Sequence, residues 1–161
     1  MRRLTAVAAA TAVLLVLMAG LAQAKPITLT FHEKNATDHF VDVLPCIGGG
    51  VQAHITITYN AVFHVTAAGI HDDNFIPPYH VTSTTTGTFV ADPIPAGLAT
   101  YRGHFTQWFG ENSNRQNFTA TFTFTIVGSA ADGSTVKFHE TAHFSVTPTG
   151  VTLEFDKATC H

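Results

Sequence analysis

The sequence contains few charged residues and no basic cluster. Lys and Arg together number 8 in 161 residues, against 11 Asp and Glu, and the formal net charge is −3. Without a basic patch, nucleic acids and anionic membranes are not expected as partners. The chain also lacks a P-loop, a dinucleotide-binding fingerprint, a G-x-S-x-G elbow and a C-x-x-C pair. The best-marked nucleotide-binding, hydrolase and redox classes are thereby excluded, and no cofactor is indicated.

Cysteine is equally scarce, with Cys46 and Cys160 as the two in the chain. In an exported protein these two can form one intramolecular disulfide, which would tie the C-terminus to an early loop. The alternative is a pair of buried or free thiols. We expect the disulfide.

The first 24 residues have the composition of a secretory signal peptide. Arg2 and Arg3 form a basic start, an apolar run follows, and Ala22 and Ala24 make an A-x-A cleavage site. The run is too short and too rich in alanine to be the better candidate for a membrane span. Cleavage after Ala24 would leave residues 25–161 as one secreted domain of 137 residues with a formal charge of −5.

Hydrophobic residues recur with a period of two, which predicts strands. Apolar residues at odd positions from Val51 to Val65 alternate with residues that are polar except for Val62, and Phe or Ala alternates with Thr from Phe118 to Thr125. Similar patterns at 27–32, 79–91, 99–109, 135–146 and 151–156 bring the total to seven or eight strands. Glycines at 48–50 and Pro77-Pro78 are read as turns, and residues 35–44 as one or two helical turns.

Strands joined by short turns predict an all-β fold, an antiparallel up-and-down meander closed or nearly closed into a barrel. A two-sheet sandwich is the alternative.

The segment His139-Glu140-Thr141-Ala142-His143 formally matches the zinc-protease pattern H-E-x-x-H. The pattern binds zinc on a helix, whereas the alternation around it predicts a strand. On a strand the two imidazoles stand about 13 Å apart and cannot share an ion. We therefore reject the metalloprotease interpretation. The alternation turns Glu140 toward the apolar face, and the alternative is a β-bulge or barrel rim that lets its carboxylate reach solvent.

Several other polar residues share the phase of the apolar face. An interior pocket with a few polar groups is typical of small-molecule sites. The candidate ligand-binding residues are Glu140, Gln107, Tyr59, Tyr101, Ser83 and Thr85. The alternative is a packed core in which these groups bond one another or water.

The histidines mostly share phase with Thr and Lys and are expected to face outward. A directly opposed cross-strand pair of them could bind Zn²⁺ or Cu²⁺, but a solvated polar face is the preferred interpretation, and no metal site is predicted. His71, Asp72 and Asp73 are likewise interpreted as a polar turn rather than a loop metal site. The outward histidines are His54, His64, His104, His139 and His143.

Residues 99–144 resemble secreted proteins of high-GC Gram-positive bacteria that carry no assigned activity. The meander and the length are also loosely similar to lipocalin and allene-oxide-cyclase-type barrels. This resemblance implies a fold and no functional residues.

Three functions are compatible with these features. The preferred hypothesis is a secreted β-barrel that binds a small apolar ligand in its lumen. The second is a cell-surface structural or interaction protein that uses its Thr- and His-rich outer face. The third is a barrel enzyme of the cyclase or isomerase type with Glu140 as acid or base. The sequence does not indicate an oligomeric state.

Overall fold

Seven long strands make up most of the chain. The computed structural model describes residues 25–72, 74–114 and 116–161, with the side chains at 153 and 154 left aside. The signal-peptide prediction for residues 1–24 and Asp73 of the polar turn lie outside the described residues. The strands are β1 (Ile27–Leu44), β2 (Val51–His71), β3 (Asn74–Pro93), β4 (Tyr101–Ser113), β5 (Phe118–Ala130), β6 (Thr135–Thr147) and β7 (Gly150–Cys160).

All seven strands belong to one sheet in chain order, from β1 to β7. Each neighbouring pair is antiparallel, so the predicted meander is confirmed. There is one sheet rather than the two of a sandwich. β1 and β7 form its edges, and within the described residues no hydrogen-bonded ladder joins them.

The interpretation of residues 35–44 as helical was wrong. They continue β1 and pair with the first half of β2, after a bulge between Glu33 and Ala36 where Asn35 has φ 52°. An isolated helix of one or two turns is marginal in water. Pairing with the 21-residue β2 instead gives residues 36–44 a hydrogen-bonded ladder along one side of the strand.

Pro77-Pro78 does not form a turn either. Both prolines lie inside β3, just before Tyr79 in the chain. The ladder between β3 and β4 ends at Tyr79, so the prolines have no neighbour in β4. There β3 has a neighbour on one side alone, and a register shift after Ala67 interrupts pairing with β2. Proline cannot donate a ladder hydrogen bond and is tolerated where a strand has an unpaired side.

Because side chains alternate along each strand, the sheet has two faces. We call the face that carries the buried cluster the inner face and the opposite one the outer face. Directly opposed residues project to the same side of a sheet, and the row Tyr59, Gly87, Phe105, Ile126 and Phe138 therefore belongs to the inner face. The buried cluster of this face consists of Leu44, Ala53, Phe89, Ala91, Tyr101, Phe105, Ile126 and Val136.

The predicted disulfide between Cys46 and Cys160 is present, with its Cα atoms 5.5 Å apart. Cys46 follows β1 and Cys160 ends β7, which are opposite edges of the same sheet. These two edges can lie so close because the sheet curls around its inner face. The disulfide joins them at the end of the molecule that holds the buried cluster, against which Cys46 packs.

Inner-face glycines bring neighbouring strands very close together. Gly103 lies opposite both Phe89 and Gly128. A methyl group on Gly103 would collide with the backbone oxygen of Val127, and one on Gly128 would lie 2.7 Å from the ring of Phe89. Glycine in a strand often marks such a close approach at a bend.

Within residues 25–72, 74–114 and 116–161, no helix has the length and apolar character needed to cross a membrane.

We expect the double variant Cys46→Ser/Cys160→Ser to be strongly destabilised. The disulfide spans 114 residues, and closing a loop of that length stabilises by roughly 4–5 kcal/mol in the chain-entropy model. Urea unfolding of the oxidised wild type and the variant measures the difference. Reduced wild type is the control and should match the variant. A loss below about 1 kcal/mol would show that the disulfide does not constrain the unfolded chain as assumed.

Gly103→Ala should lower the free energy of unfolding by about 1–3 kcal/mol, as overpacking usually does. The added methyl group meets backbone, which cannot move aside without separating β4 from β5. Gly69→Ala is the matched control, since its nearest neighbour is the flexible Cδ1 of Ile76 at 3.3 Å. Thermal unfolding of both variants tests this, and equal stability would contradict the tight approach at Gly103.

Candidate functional site

The curled sheet leaves a cavity of about 320 Å³ between its strands. Six strands and the turn after β1 contribute to the lining, so one cavity spans nearly the whole meander. The lining residues are Phe40, Asp42, Val43, Leu44, Pro45, Ile55, Ile57, Phe89, Phe105, Gln107, Phe122, Phe124, Ile126 and Glu140.

Two of the predicted ligand-binding residues, Gln107 and Glu140, line this cavity. Both lie directly opposite Phe124 in the central strand β5, one from each side. Their strands are thus two spacings apart, about 10 Å. Both side chains are half-buried, and neither hydrogen-bonds to another described residue. Each is therefore available to a molecule in the cavity.

A third polar group in the lining, Asp42, was not predicted. It lies at the end of β1, where the sequence had been interpreted as helical, beside the lining residue Phe40. Its Oδ1 accepts a hydrogen bond of 2.7 Å from the backbone N–H of Val43. Phe40, Asp42 and Leu44 do alternate with outward residues, but Val41 and Val43 are also apolar and obscure the period of two.

The other four predicted residues lie on the inner face but outside the cavity lining. Tyr101 is buried in the core, where its hydroxyl hydrogen-bonds to Oγ of Ser134 at 2.8 Å. Ser83 is buried and Thr85 half-buried farther along β3. Tyr59 is half-buried and packs against the core cluster. The structure thus brings two of the six candidates together.

Two inner-face tyrosines contact carboxylates. Tyr79 donates a hydrogen bond of 2.7 Å from its hydroxyl to Oε1 of Glu111, and this bond together with partial burial raises the pKa of Tyr79. The pKa of Tyr59 is raised mainly by a hydrogen bond with Asp38 and to a lesser extent by burial. Both phenols stay neutral to higher pH than usual, because ionisation would remove the hydrogen bond to the carboxylate and place a second negative charge beside it.

A second, larger cleft of about 420 Å³ lies at the opposite end of the sheet. Its lining mixes inner-face residues such as Tyr79 with outer-face residues such as His80, together with Asn114 and Asn117 of the β4–β5 turn. Only at the rim of the sheet can residues of both faces line the same cleft, so this cleft lies at the rim. We therefore place the candidate site in the smaller interior cavity, which encloses a ligand more fully.

The H-E-x-x-H segment lies in the middle of strand β6. His139 and His143 hydrogen-bond through Nδ1 to Thr125 and Thr121, which face them directly on β5, at 2.9 and 2.6 Å. Residues four apart on a strand are about 13 Å apart, so the segment cannot have the geometry of a zinc protease. Glu140 points to the opposite face, as predicted.

No two of the five outward histidines face each other directly in the described strands. His54 is opposite Val41 and Asp92, His64 opposite Thr30 and Thr82, and His104 opposite Thr88 and Val127. The directly opposed pair considered for Zn²⁺ or Cu²⁺ is therefore not formed. Among the described residues there is also no group of three or more His, Cys, Asp or Glu that could hold a metal ion.

Comparison of the chain with protein-family models, with curated proteins and with solved structures finds no significant match in any of the three. The chemistry of the cavity is therefore the basis for assigning a function.

Proposed function

We propose that this chain is an exported protein that binds a small, mainly apolar molecule inside its curled sheet. The observation that carries the proposal is the cavity of about 320 Å³, which falls in the range of small-molecule sites, roughly 300–1,000 Å³. Its lining combines phenylalanine and aliphatic side chains with the polar groups of Asp42, Gln107 and Glu140. Ligand sites commonly have this composition, because apolar surface supplies affinity and a few polar groups orient the molecule.

Export is supported by two features of the chain. Residues 1–24 have the composition of a signal peptide. The disulfide between Cys46 and Cys160 belongs to an oxidising compartment, since such bonds are rare in the cytosol.

The outer face is the basis of the interaction hypothesis, and it offers less support. Several of its histidines hydrogen-bond to threonines across the strands, at 3.0 Å for His64 with Thr30 and 2.9 Å for His39 with Thr56. These hydrogen bonds engage polar groups of the outer face within the sheet itself. Binding in the cavity is therefore the preferred function.

The cyclase or isomerase hypothesis depends on Glu140. The carboxylate does reach the cavity, but its polar neighbours in the lining are another carboxylate, Asp42, and the amide of Gln107. Acid–base catalysis commonly pairs groups whose environments drive their pKa values apart. Orientation of a ligand requires no such pair, so binding accounts for these residues more simply.

Expression of the full chain in a bacterial host should release a protein that begins at Lys25. The intact mass of the protein in the culture medium measures the cleavage site. A variant with Ala22→Arg and Ala24→Arg is the control and should not be processed, because the site requires small residues. Recovery of the uncleaved wild-type chain inside the cell would refute export.

A bulky residue in the cavity should weaken ligand binding. Gln107→Trp adds volume to the lining, whereas Thr106→Trp adds the same side chain to the exposed outer face of the same strand. Phenylnaphthylamine, an uncharged apolar dye, is the probe, and its fluorescence is followed during titration. We expect the wild type and Thr106→Trp to bind the dye and Gln107→Trp to lose at least about tenfold in affinity. Equal binding by both variants would place the dye outside the cavity and refute the proposed site.

A further inference from the structure

The charged residues of the strands are sorted by sign between the two faces. Six acidic residues lie opposite apolar residues of the inner face and therefore belong to that face. Asp92 is an acidic residue of the outer face. Arg102, Lys137 and Lys157 have outer-face registers. The six inner acidic residues are Glu33, Asp38, Asp42, Glu111, Glu140 and Asp156.

Apart from His71, which is highly exposed at the far end of β2 and pairs with Asp72, no Lys, Arg or His occupies an inner-face position in the paired parts of the described strands. The histidines at 54, 64, 80, 104, 139 and 143 all share the outer face. Two of the inner carboxylates, Asp42 and Glu140, line the cavity. The cavity thus contains acidic groups, and none of its described lining residues carries a basic side chain that could pair with them.

The apolar part of the lining also favours a cation. Five phenylalanine rings surround the cavity, at positions 40, 89, 105, 122 and 124. The face of an aromatic ring attracts positive charge and repels negative charge. Phe122 and Phe124 lie stacked, with ring centroids 6.1 Å apart, and Phe124 stands between Gln107 and Glu140 in the register.

A ligand carboxylate would enter such a cavity at a double cost. It would lose water and would approach Asp42 and Glu140 without a cation to compensate, and like charges raise the free energy of the bound state. An ammonium group would instead exchange its water for charge-assisted hydrogen bonds to these carboxylates.

We propose that the cavity is selective for small apolar molecules that carry a positive charge, such as aromatic or alkyl amines. The carboxylates of Asp42 and Glu140 bind the ammonium group, and the phenylalanines contact the hydrocarbon part. This inference rests on the proposed ligand-binding function and names the chemical class of its ligand.

Three compounds with the same hydrocarbon part test the selectivity: phenylbutylamine, phenylbutanol and phenylbutanoate. Binding to the mature wild-type protein is measured by isothermal titration calorimetry at neutral pH and low ionic strength. We expect the amine to bind at least about tenfold more tightly than the alcohol, and the carboxylate to bind most weakly. Added salt should weaken binding of the amine more than binding of the alcohol.

Removal of the two charges should remove the preference. In Asp42→Asn/Glu140→Gln, affinity for the amine is expected to fall to about that for the alcohol, whereas affinity for the alcohol changes little. Asp156→Asn is the matched control, because it removes one carboxylate from an exposed position of β7 outside the cavity lining. The control should keep the preference for the amine. Circular dichroism checks that each variant is folded. The comparison of the three compounds on the wild type tests the selectivity even if a variant does not fold.

The outcomes separate the two proposals. If the alcohol or the carboxylate binds the wild type as tightly as the amine, charge selectivity is refuted and the cavity remains a ligand site. If the double variant keeps the preference, the two carboxylates are not the recognition groups and the inference is overturned. If none of the three compounds binds and the dye also fails to bind, the proposed function itself is refuted.

Discussion

A single sheet with one apolar face and no second layer must bury that face against itself. Every other feature of this fold follows from that constraint. The seven strands curl until β1 and β7, the two edges of the sheet, lie close enough for a disulfide at one end. Curling requires neighbouring strands to approach and bend, and inner-face glycines at 103 and 128 make room for this. The buried cluster forms at the same end, where the disulfide holds the edges together.

The cavity is a consequence of the same curling. Side chains from a curved sheet converge toward its axis, and six strands here contribute to one lining. Large phenylalanines fill part of the space and leave about 320 Å³ unfilled. Because side chains alternate between the two faces along a strand, a polar residue in the inner phase faces the interior, and it lines the cavity where its position along the strand coincides with the unfilled space. Glu140 and Gln107 are therefore held toward the interior by the same period of two that places their neighbours Phe138 and Phe105 in the core.

Much of this arrangement could be predicted from local patterns. The alternation around Glu140 identified its segment as a strand and its side chain as inward, which removed the zinc-protease interpretation. The same reasoning placed Gln107 correctly. It failed for residues 35–44, because Asn35 lies in a bulge and Val41 and Val43 hide the alternation, and so it missed Asp42. It failed again at Pro77-Pro78, which are tolerated in β3 because β4 ends before them. In both places pairing with a distant strand outweighed the local signal.

The sequence by itself determined the fold class, the two faces of the regularly alternating strands and the cysteine pair, because these depend on residue type and on a period of two along the chain. Tertiary structure alone decided which inner-face residues meet. Tyr59, Tyr101, Ser83 and Thr85 share the phase of Glu140 but lie outside the cavity lining, since their position along the axis of the curled sheet depends on register and curvature. The separation of acidic and basic residues between the faces also became visible only through the register. Register is set by pairing between strands far apart in the chain, and no single segment carries that information.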